Sequence, residues 1–279
     1  MSRGTYTTTG ANMKNSDQPI VLREGGPRMG GDVHSQEVTS VTKPTISVIT
    51  ATYNAIEVLP NAIRSLQLQD DKDFEWVIAD GGSSDGTIDL LNSINDLSCS
   101  ISSSSDFGIY DALNRAIELC SSDYYIVIGA DDTLATNAIS EYKKFAAYNH
   151  DMVCADILVN GRICKPGKGK KWLNGAMAYV AGHSVGLCIK TSMHKELGLY
   201  SKNYPIVADQ LFIMNAISRG FNLTVAPFVA GEFSTNGTSN LKYLATATDF
   251  YRFQIEMGVN RYLQTLLFFA RIIKNFKRI

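Results

Sequence analysis

The sequence predicts an α/β fold with a single, mainly parallel sheet flanked by helices. From residue 45 onward, apolar runs rich in β-branched residues alternate with segments of helical spacing, the pattern of βαβ units. Polar clusters directly follow several of these runs, and open parallel sheets bind ligands beyond the carboxyl ends of their strands. The chain has 279 residues, 45% of them hydrophobic, which is enough for one large domain.

The first half supplies the clearest alternation. Four strands are predicted, in the order TISVITATY (45–53), FEWVIADGG (74–82), SCSISSS (98–104) and YYIVIG (124–129). Three helices are predicted between them, over 59–69, 87–96 and 108–121. The last helix carries one apolar stripe, formed by Ile109, Leu113, Ala116, Ile117 and Cys120, which should pack on the sheet.

The second half contains shorter, mixed segments. Strands are predicted over 151–159, 181–190 and 222–234, and a helix over 210–218. Because no linker separates the halves, we expect the second half to extend the same sheet. The predicted domain therefore covers 44–240, with a first half over 44–135 and a mixed second half over 136–240.

The two ends have different compositions. Residues 1–43 are rich in Thr, Gly and Ser without periodicity, which predicts a disordered leader. Residues 241–279 end in a predicted amphipathic helix whose apolar face comprises Leu263, Leu266, Leu267, Ala270, Ile273 and Phe276, with basic residues near its end. Such a helix either lies on a membrane surface or packs its apolar face on the domain. The sequence leaves both alternatives open.

Composition excludes several classes of function. A formal net charge of −1 argues against a general nucleic-acid binder. No window approaches the roughly 18 apolar residues of a membrane-spanning helix, and the first residues lack a secretory signal. The five cysteines form no Cys-x-x-Cys pair, so reduced thiols are expected. These observations predict a cytoplasmic protein, peripheral on the cytosolic face of the inner membrane if the terminal helix binds lipid.

Carboxylates at the strand ends indicate a site. Asp131 and Asp132 follow the fourth strand directly, Asp80 ends the second, and Thr52–Asn54 follows the first. Adjacent carboxylates repel each other, and a divalent cation such as Mg²⁺ or Mn²⁺ relieves that repulsion while binding phosphate oxygens. The chain lacks GxGxxG, GxxxxGK[ST] and GxSxG segments, which argues against a dinucleotide site, a P-loop or a nucleophile elbow.

Four segments together resemble family 2 glycosyltransferases of the GT-A fold: TISVITATYNA, WVIADGGSSDGT, SDFGIYDALNRAI and VIGADDTL. The resemblance covers roughly 44–240 and is strongest to bacterial exopolysaccharide and colanic-acid-type enzymes. It implies donor contacts by Ala51 and Tyr53, a nucleobase contact by Asp80, a ribose or metal contact by Asp131, and metal ligation by Asp132. It also implies a donor-pocket segment, whose matching residues are Asp106, Asp111 and Asn114.

The same resemblance implies acceptor-side residues in the second half. Asp209 matches the catalytic base, although Asp at the start of a helix is also a common N-cap. His183 matches a histidine that contacts the metal or the diphosphate, although a lone histidine is often structural. Glu232 and Ser239 match acceptor-side positions.

The predicted function is therefore inverting, metal-dependent transfer of a sugar from a nucleotide donor, with UDP favoured. The acceptor would be a saccharide, lipid-linked if the terminal helix binds a membrane, in bacterial surface or exported polysaccharide synthesis. The alternative is a non-catalytic subunit that binds sugar nucleotides within a polysaccharide-synthesis complex. A nucleotidyltransferase or an aspartate-dependent phosphatase fits less well, because the loop after the first strand is neither Gly-rich nor basic and Asp80-Gly81-Gly82 lacks an Asp-x-Asp pattern.

Overall fold

The computed structural model describes residues 20–21, 45–167, 169–235 and 243–276. Its strands are β1 (Ile20–Val21), β2 (Ile46–Thr52), β3 (Phe74–Asp80), β4 (Cys99–Ser103), β5 (Tyr124–Val127), β6 (Thr133–Leu134), β7 (Met152–Val159), β8 (Arg162–Cys164), β9 (Leu187–Lys190) and β10 (Leu223–Phe233). Its helices are α1 (Leu59–Gln67), α2 (Thr87–Asn92), α3 (Ile109–Leu119), α4 (Ala138–Ala146), α5 (Lys171–Asn174), α6 (Met193–Leu197), α7 (Ala208–Ser218), α8 (Tyr243–Glu256) and α9 (Arg261–Lys274).

One sheet joins both halves, as the sequence predicts. Its strand order is β1-β10-β7-β9-β5-β2-β3-β4. Strands β5, β2, β3 and β4 are mutually parallel, and β9 joins them to the parallel pair β7–β10 through two antiparallel pairings. The predicted mixed character of the second half is therefore confirmed.

The parallel strands are covered on both faces. Along β2, Val48 packs in one buried apolar layer and Ile49 in the other. The neighbouring β3 alternates in the same way, with Ile78 in the first layer and Val77 in the second. Side chains of a strand alternate between faces, so a run of consecutive apolar residues is what a doubly covered strand requires. This burial fixes the register that places Thr52 opposite Asp80 at the carboxyl edge.

One predicted strand is shorter than expected. Residues 181–190 are predicted as extended, whereas β9 covers only Leu187–Lys190. Val185 has φ of 65°, in the left-handed region that a β-branched residue rarely adopts. This backbone turns the preceding residues away from the sheet and forms a loop at its carboxyl edge.

The C-terminal helices pack on the domain. The amide of Gln264 donates to the carbonyl of Trp172, and the guanidinium of Arg271 donates to the carbonyl of Leu173 at 2.8 Å. The opposite side of α9 exposes an apolar stripe formed by Tyr262, Leu266, Phe269, Ile273 and Phe276. One side of this helix therefore packs on the domain, and binding of the exposed side to a membrane stays a prediction.

At the other end of the chain, Ile20 pairs with Val225 of β10 in antiparallel register. Ile20 and Val21, which form β1, fall within the predicted leader. The rest of 1–43 lies outside the described residues, so the predicted disorder of that part stays a prediction. No helix in the described part of the chain is long and apolar enough to cross a membrane.

Candidate active site at the carboxyl edge of the sheet

The loops that follow β2 and β3 are joined to each other. The backbone N–H of Asn54 donates to Oγ of Ser83 at 2.8 Å, and its side-chain oxygen accepts from the N–H of Ser84 at 2.9 Å. Asn54 has φ of 47°, a conformation that Asn tolerates better than most residues. The predicted donor-binding edge is therefore one connected surface.

Asp80 is fully buried beneath this surface. Its carboxylate accepts five hydrogen bonds from the chain, from Thr52 Oγ1, Gly82 N–H, Ser103 Oγ and both the N–H and Oγ of Ser83. Burial alone would raise the pKa of Asp80, but the bonds from Ser83, Ser103 and Thr52 outweigh it and lower the pKa below its ordinary value. Through these hydrogen bonds, the carboxylate fixes the loop that follows β3.

Tyr53 and Asp106 both lie close to Gly81. A Cβ atom built on Gly81 would stand 2.8 Å from Oδ2 of Asp106 and 3.3 Å from the Tyr53 ring. The Tyr53 ring is 67% exposed, and Asp106 is partly buried. Glycine at this position therefore leaves an aromatic face and a carboxylate side by side at the edge. Ala51, the predicted donor contact on β2, is partly buried below them.

The segment that Asp106 begins runs toward the second half. Asp106 Oδ1 accepts from the N–H of Gly108 at 2.9 Å, and α3 follows directly. Asp111 pairs with Lys202 at 2.6 Å, which lowers the pKa of that carboxyl. Asn114 forms two hydrogen bonds with the backbone of Tyr200, at 2.8 and 2.9 Å. Of the three residues predicted to line the donor pocket, Asp106 lies near Tyr53, whereas Asp111 and Asn114 contact Lys202 and Tyr200 of the second half.

Asp131 and Asp132 converge above Gly129. A Cβ atom on Gly129 would lie 2.8 Å from Oδ2 of Asp132 and 3.0 Å from Oδ1 of Asp131, so only glycine allows this arrangement. Asp132 is buried and accepts from the N–H groups of Gly129 and Ser234, both at 2.8 Å, and from Oγ of Ser184. Burial raises the pKa of Asp132, and the adjacent Asp131 adds to that effect.

The donor set at this pair suits a hard cation. Carboxylate oxygens are the ligands that Mg²⁺ and Mn²⁺ prefer, with substrate phosphates completing the shell. Within the described residues, no group of three or more His, Cys, Asp or Glu side chains is placed to hold a metal. His183, a predicted ligand, faces Asp209 instead, with 3.9 Å between its Nδ1 and Oδ2 of that carboxylate.

The loop before β9 connects the carboxylate pair to Asp209. Ser184 bonds to Asp132, and its neighbour His183 faces Asp209. The next residue, Val185, is the one held at φ of 65°, and its N–H donates to the carbonyl of Val127 at 2.7 Å. Strain of this kind persists only where surrounding contacts fix it. The loop therefore sets the spacing between the two acidic groups.

Asp209 lies in the first turn of α7, whose cap position is Val207. No side chain caps this helix, so Asp209 does not act as an N-cap. Its Oδ1 accepts a 2.6 Å hydrogen bond from the phenol of Tyr110, and its side chain is 17% exposed. Burial raises the pKa of Tyr110 well above its ordinary value, and Asp209 adds to that effect. Tyr110 therefore stays a protonated donor that orients the carboxylate.

The remaining acceptor-side predictions concern β10. Glu232 is exposed and lines a groove of about 600 Å³ with Asp131. The lining of that groove includes neither Tyr53 nor Asp209. Ser239 lies outside the described residues.

Three residues of this site are not predicted from the sequence. Tyr110, Ser184 and Tyr200 are all buried or partly buried and hydrogen-bonded to predicted residues. Tyr110 has a signal in the sequence, because it lies three and seven residues before Leu113 and Ile117 of the apolar stripe, and a tyrosine buried there needs a polar partner for its hydroxyl. No local pattern identifies the partner of Ser184 or Tyr200.

Two solved structures share the fold. S. aureus TarS (residues 1–349) in complex with UDP-GlcNAc gives a TM-score of 0.61 at 17% identity, covering 83% of this chain and 73% of that one. Mannosyltransferase PcManGT from Pyrobaculum calidifontis in complex with GDP-Man and Mn²⁺ gives a TM-score of 0.61 at 15% identity, covering 84% and 75%. The predicted GT-A fold is confirmed.

Two relatives match by sequence. The chain is 32% identical over 123 residues to a PGL/p-HBAD biosynthesis glycosyltransferase from Mycobacterium bovis (strain BCG / Pasteur 1173P2), over 42% of this chain and 48% of that protein. It is 27% identical over 133 residues to the GalNAc(5)-diNAcBac-PP-undecaprenol beta-1,3-glucosyltransferase of Campylobacter jejuni subsp. jejuni serotype O:2, over 46% and 43%. The chain spans about half the length of these relatives.

Residues 47–186 match the family described as "Glycosyl transferase family 2". This segment is half of the chain and includes the loops that carry Tyr53, Asp80, Asp132 and His183. The family prediction is confirmed, whereas the narrower likeness to exopolysaccharide and colanic-acid-type enzymes stays a prediction. The chain belongs to glycosyl transferase family 2, an inverting family.

Proposed function

We propose that this protein transfers a sugar from a nucleoside diphosphate donor to a saccharide hydroxyl, with inversion at the anomeric carbon. One observation carries the proposal. The consecutive residues His183 and Ser184 join two acidic centres, Asp209 and Asp132. Inverting transfer needs one acidic group for the diphosphate and another for the acceptor hydroxyl, on opposite sides of the transferred sugar.

On the donor side, Tyr53 and Asp106 are the proposed nucleobase contacts. The exposed Tyr53 ring offers a stacking surface, and Asp106 offers a carboxylate beside it. Uracil has an N3–H from which such a carboxylate can accept, which is compatible with the UDP donor that the resemblance favours. We assign Asp80 to holding the loop rather than to the base, because its carboxylate already accepts five hydrogen bonds. The TarS structure contains UDP-GlcNAc and the PcManGT structure GDP-Man, so both nucleotides deserve testing.

Asp131 and Asp132 would hold a divalent cation, which when bound neutralises charge on the diphosphate leaving group. The neighbour PcManGT was solved with Mn²⁺. Asp132 is fixed by Ser184 and by two backbone N–H groups, so it keeps its orientation when the donor leaves. Asp131 is partly exposed and is able to meet the diphosphate from the edge.

Asp209 is the proposed catalytic base. The acceptor oxygen forms its bond to the anomeric carbon while the bond from that carbon to the diphosphate oxygen breaks, and the hydroxyl proton passes to Asp209. Tyr110 fixes one oxygen of this carboxylate, which leaves the other side, toward His183, for the acceptor. A base positioned in this way contributes roughly 10²–10⁴-fold to the rate.

For the acceptor we propose a lipid-linked saccharide presented at an anionic membrane surface. The stripe on α9, formed by Tyr262, Leu266, Phe269, Ile273 and Phe276, is apolar and exposed. Exposed basic residues Arg261 and Lys274 flank it, which suits lipid of opposite charge. The name of the Campylobacter relative refers to a PP-undecaprenol substrate. Glu232, exposed in the groove that Asp131 also lines, is a proposed contact for the acceptor sugar.

The deciding experiment compares wild type with Asp209→Asn. We expect the variant to bind the sugar nucleotide as tightly as wild type but to release nucleoside diphosphate about 10²-fold or more slowly. Asp123→Asn is the matched control, because Asp123 is an exposed carboxylate bonded to Thr45 at the amino end of β5. Equal turnover in Asp209→Asn would refute the assignment of the base, and binding without any turnover in wild type would favour the non-catalytic alternative.

A further inference from the structure

A buried chain of hydrogen bonds leads away from the base side of the site. Nε2 of His183 lies 2.7 Å from the hydroxyl of Tyr200, which lies 2.8 Å from that of Tyr125. The Tyr125 hydroxyl lies 2.8 Å from Nε2 of His194, whose Nδ1 lies 2.9 Å from the carbonyl oxygen of Gly198. All four separations are those of formed hydrogen bonds.

The carbonyl of Gly198 fixes the direction of this chain. A carbonyl only accepts, so Nδ1 of His194 must carry a hydrogen. Burial lowers the pKa of His194, which favours the neutral ring, and its Nε2 then accepts from Tyr125. Because each tyrosine has one hydroxyl hydrogen, Tyr125 must in turn accept from Tyr200, and Tyr200 must accept from Nε2–H of His183.

The direction determines which nitrogen of His183 faces the site. With its hydrogen on Nε2 and its pKa lowered by burial, the neutral ring has its lone pair on Nδ1. That nitrogen faces Oδ2 of Asp209 across 3.9 Å, which is too far for a direct hydrogen bond. An oxygen about 2.8 Å from each atom fits between these two acceptors. If the acceptor hydroxyl lies there, it donates its single hydrogen to Asp209 and keeps its lone pairs free of any N–H donor from His183.

We propose that Tyr125 and His194 are positioning residues that hold His183 in its Nε2–H tautomer and so keep a ring N–H from facing the acceptor oxygen beside Asp209. The proposal rests on the function proposed above, in which Asp209 takes the acceptor proton. In the opposite tautomer, Nδ1–H of His183 would donate to the acceptor oxygen that lies between the ring and Asp209, and it would engage a lone pair that this oxygen needs to attack the anomeric carbon.

Removing a hydroxyl or a ring nitrogen from this chain of hydrogen bonds should reverse the tautomer of His183. In Tyr125→Phe, the hydroxyl of Tyr200 loses its acceptor, and the remaining partner for its hydrogen is Nε2 of His183. The hydrogen of His183 would then move to Nδ1. His194→Phe removes the acceptor at the far end and predicts the same reversal. The imidazole of His194 stacks on the ring of Phe212 with 4.6 Å between centroids. The phenyl ring introduced by His194→Phe can stack in the same way, so the packing is largely kept.

The tautomers can be measured without substrate. The full chain contains four histidines, and long-range ¹H–¹⁵N spectra of ¹⁵N-histidine-labelled protein identify the protonated nitrogen of each, with His183→Gln providing the assignment. We expect Nε2–H at His183 and Nδ1–H at His194 in wild type, and Nδ1–H at His183 in both Tyr125→Phe and His194→Phe. Tyr124→Phe is the control, because the Tyr124 hydroxyl donates to the carbonyl of His150 and takes no part in the chain of hydrogen bonds that begins at His183.

Nδ1–H at His183 in the wild type, or an unchanged tautomer in whichever of the two variants folds, would overturn the proposal. The role in transfer is read separately from turnover of the sugar nucleotide, with kcat expected to fall about tenfold or more in the two variants and to stay unchanged in Tyr124→Phe. A reversed tautomer with unchanged kcat would refute the positioning role while leaving the proposed function intact. Absence of turnover in the wild type would refute the proposed function, and the spectra would still report the tautomers.

Discussion

The phenol of Tyr110 donates a 2.6 Å hydrogen bond to Oδ1 of Asp209 across 99 positions of the chain. Tyr110 belongs to the first turn of α3, directly after the loop that carries Asp106. The first turn of α3 therefore contacts Asp209, the proposed base, and directly follows the loop of Asp106, the proposed donor contact. This connection explains how a segment expected to line the donor pocket also organises the acceptor side.

Replacing Tyr110 with Phe should impair catalysis more than donor binding. The variant leaves Oδ1 of Asp209 without its phenol donor, so the carboxylate loses its fixed orientation. We expect kcat for release of nucleoside diphosphate to fall about tenfold, the loss associated with about 1.4 kcal/mol, while KM for the donor changes little. Steady-state kinetics would measure both constants. Tyr124→Phe is the control, since its hydroxyl bonds to the carbonyl of His150. A rise in KM with unchanged kcat would contradict this role.

Asp80→Asn should destabilise the fold in a pH-dependent manner. The pKa of Asp80 is lowered from an ordinary value of 3.8, so its carboxylate stabilises the native state above that pH, and the contribution is lost as pH falls through the lower native pKa. We expect a loss of about 2–3 kcal/mol at neutral pH, measured by urea unfolding. The difference from wild type should shrink below pH 3.8.

Asp96→Asn provides the comparison for Asp80→Asn, because Asp96 is exposed and bonds to the side chain of Gln67. Its stability should match that of wild type within about 0.5 kcal/mol. If Asp80→Asn were equally stable and instead lost nucleotide binding, Asp80 would be a base contact and our assignment to the loop would be wrong.

Gly81→Ala should weaken nucleotide binding without unfolding the protein. The added Cβ would lie 2.8 Å from Oδ2 of Asp106, and Gly81 has an ordinary φ, so the strain falls on the carboxylate and the Tyr53 ring. We expect affinity for UDP to fall about tenfold, equivalent to 1.4 kcal/mol, as measured by calorimetry. Gly161→Ala is the comparison for backbone strain alone, since a Cβ there meets nothing within 4 Å but φ is +71°; it should lose stability while keeping its affinity for UDP. Unchanged affinity in Gly81→Ala would remove Asp106 and Tyr53 from the base site.

The apolar stripe on α9 should bind lipid. Serine at Leu266, Phe269 and Ile273 removes its centre, and burial of each such side chain is worth about 1.5–3 kcal/mol. We therefore expect the fraction of protein that sediments with vesicles containing anionic lipid to fall at least about tenfold. Binding of the wild type should also weaken at high salt, because Arg261 and Lys274 contribute through charge.

The control for the lipid experiment is Leu119→Ser combined with Ile163→Ser, two exposed apolar residues outside α9. This pair should sediment with vesicles as wild type does. Failure of the wild type to bind vesicles, or equal binding by the triple variant, would refute the proposal that the stripe on α9 binds a membrane. The support for a lipid-linked acceptor would then be lost as well.

The sequence predicted the sheet because its signals are local. Consecutive apolar residues such as Val48 and Ile49 report that both faces of a strand are covered, and the polar residues that follow report the carboxyl edge. Asp131 and Asp132 could be placed at that edge for the same reason. Their separation from Asp209 could not be predicted, because it depends on the strained loop at Val185.

Hydrogen-bond partners that lie far apart in the sequence could not be predicted from it. Asn114 matches a donor-pocket position, yet its amide pairs with the backbone of Tyr200, 86 residues away. Nothing local distinguishes an Asn that meets ligand from one that meets backbone, since both need buried donors and acceptors to be satisfied. The same limit applies to His183, whose neighbour proves to be Asp209 rather than the carboxylate pair.

The most direct test of the account is calorimetric binding of UDP, GDP and dTDP, each with and without Mn²⁺, to wild type and to Asp132→Asn. We expect the wild type to bind UDP most tightly and only weakly without Mn²⁺, and Asp132→Asn to lose the Mn²⁺-dependent part. Binding of none of the three nucleotides by the wild type, or equal binding by Asp132→Asn in Mn²⁺, would contradict a nucleotide-sugar site at this edge of the sheet.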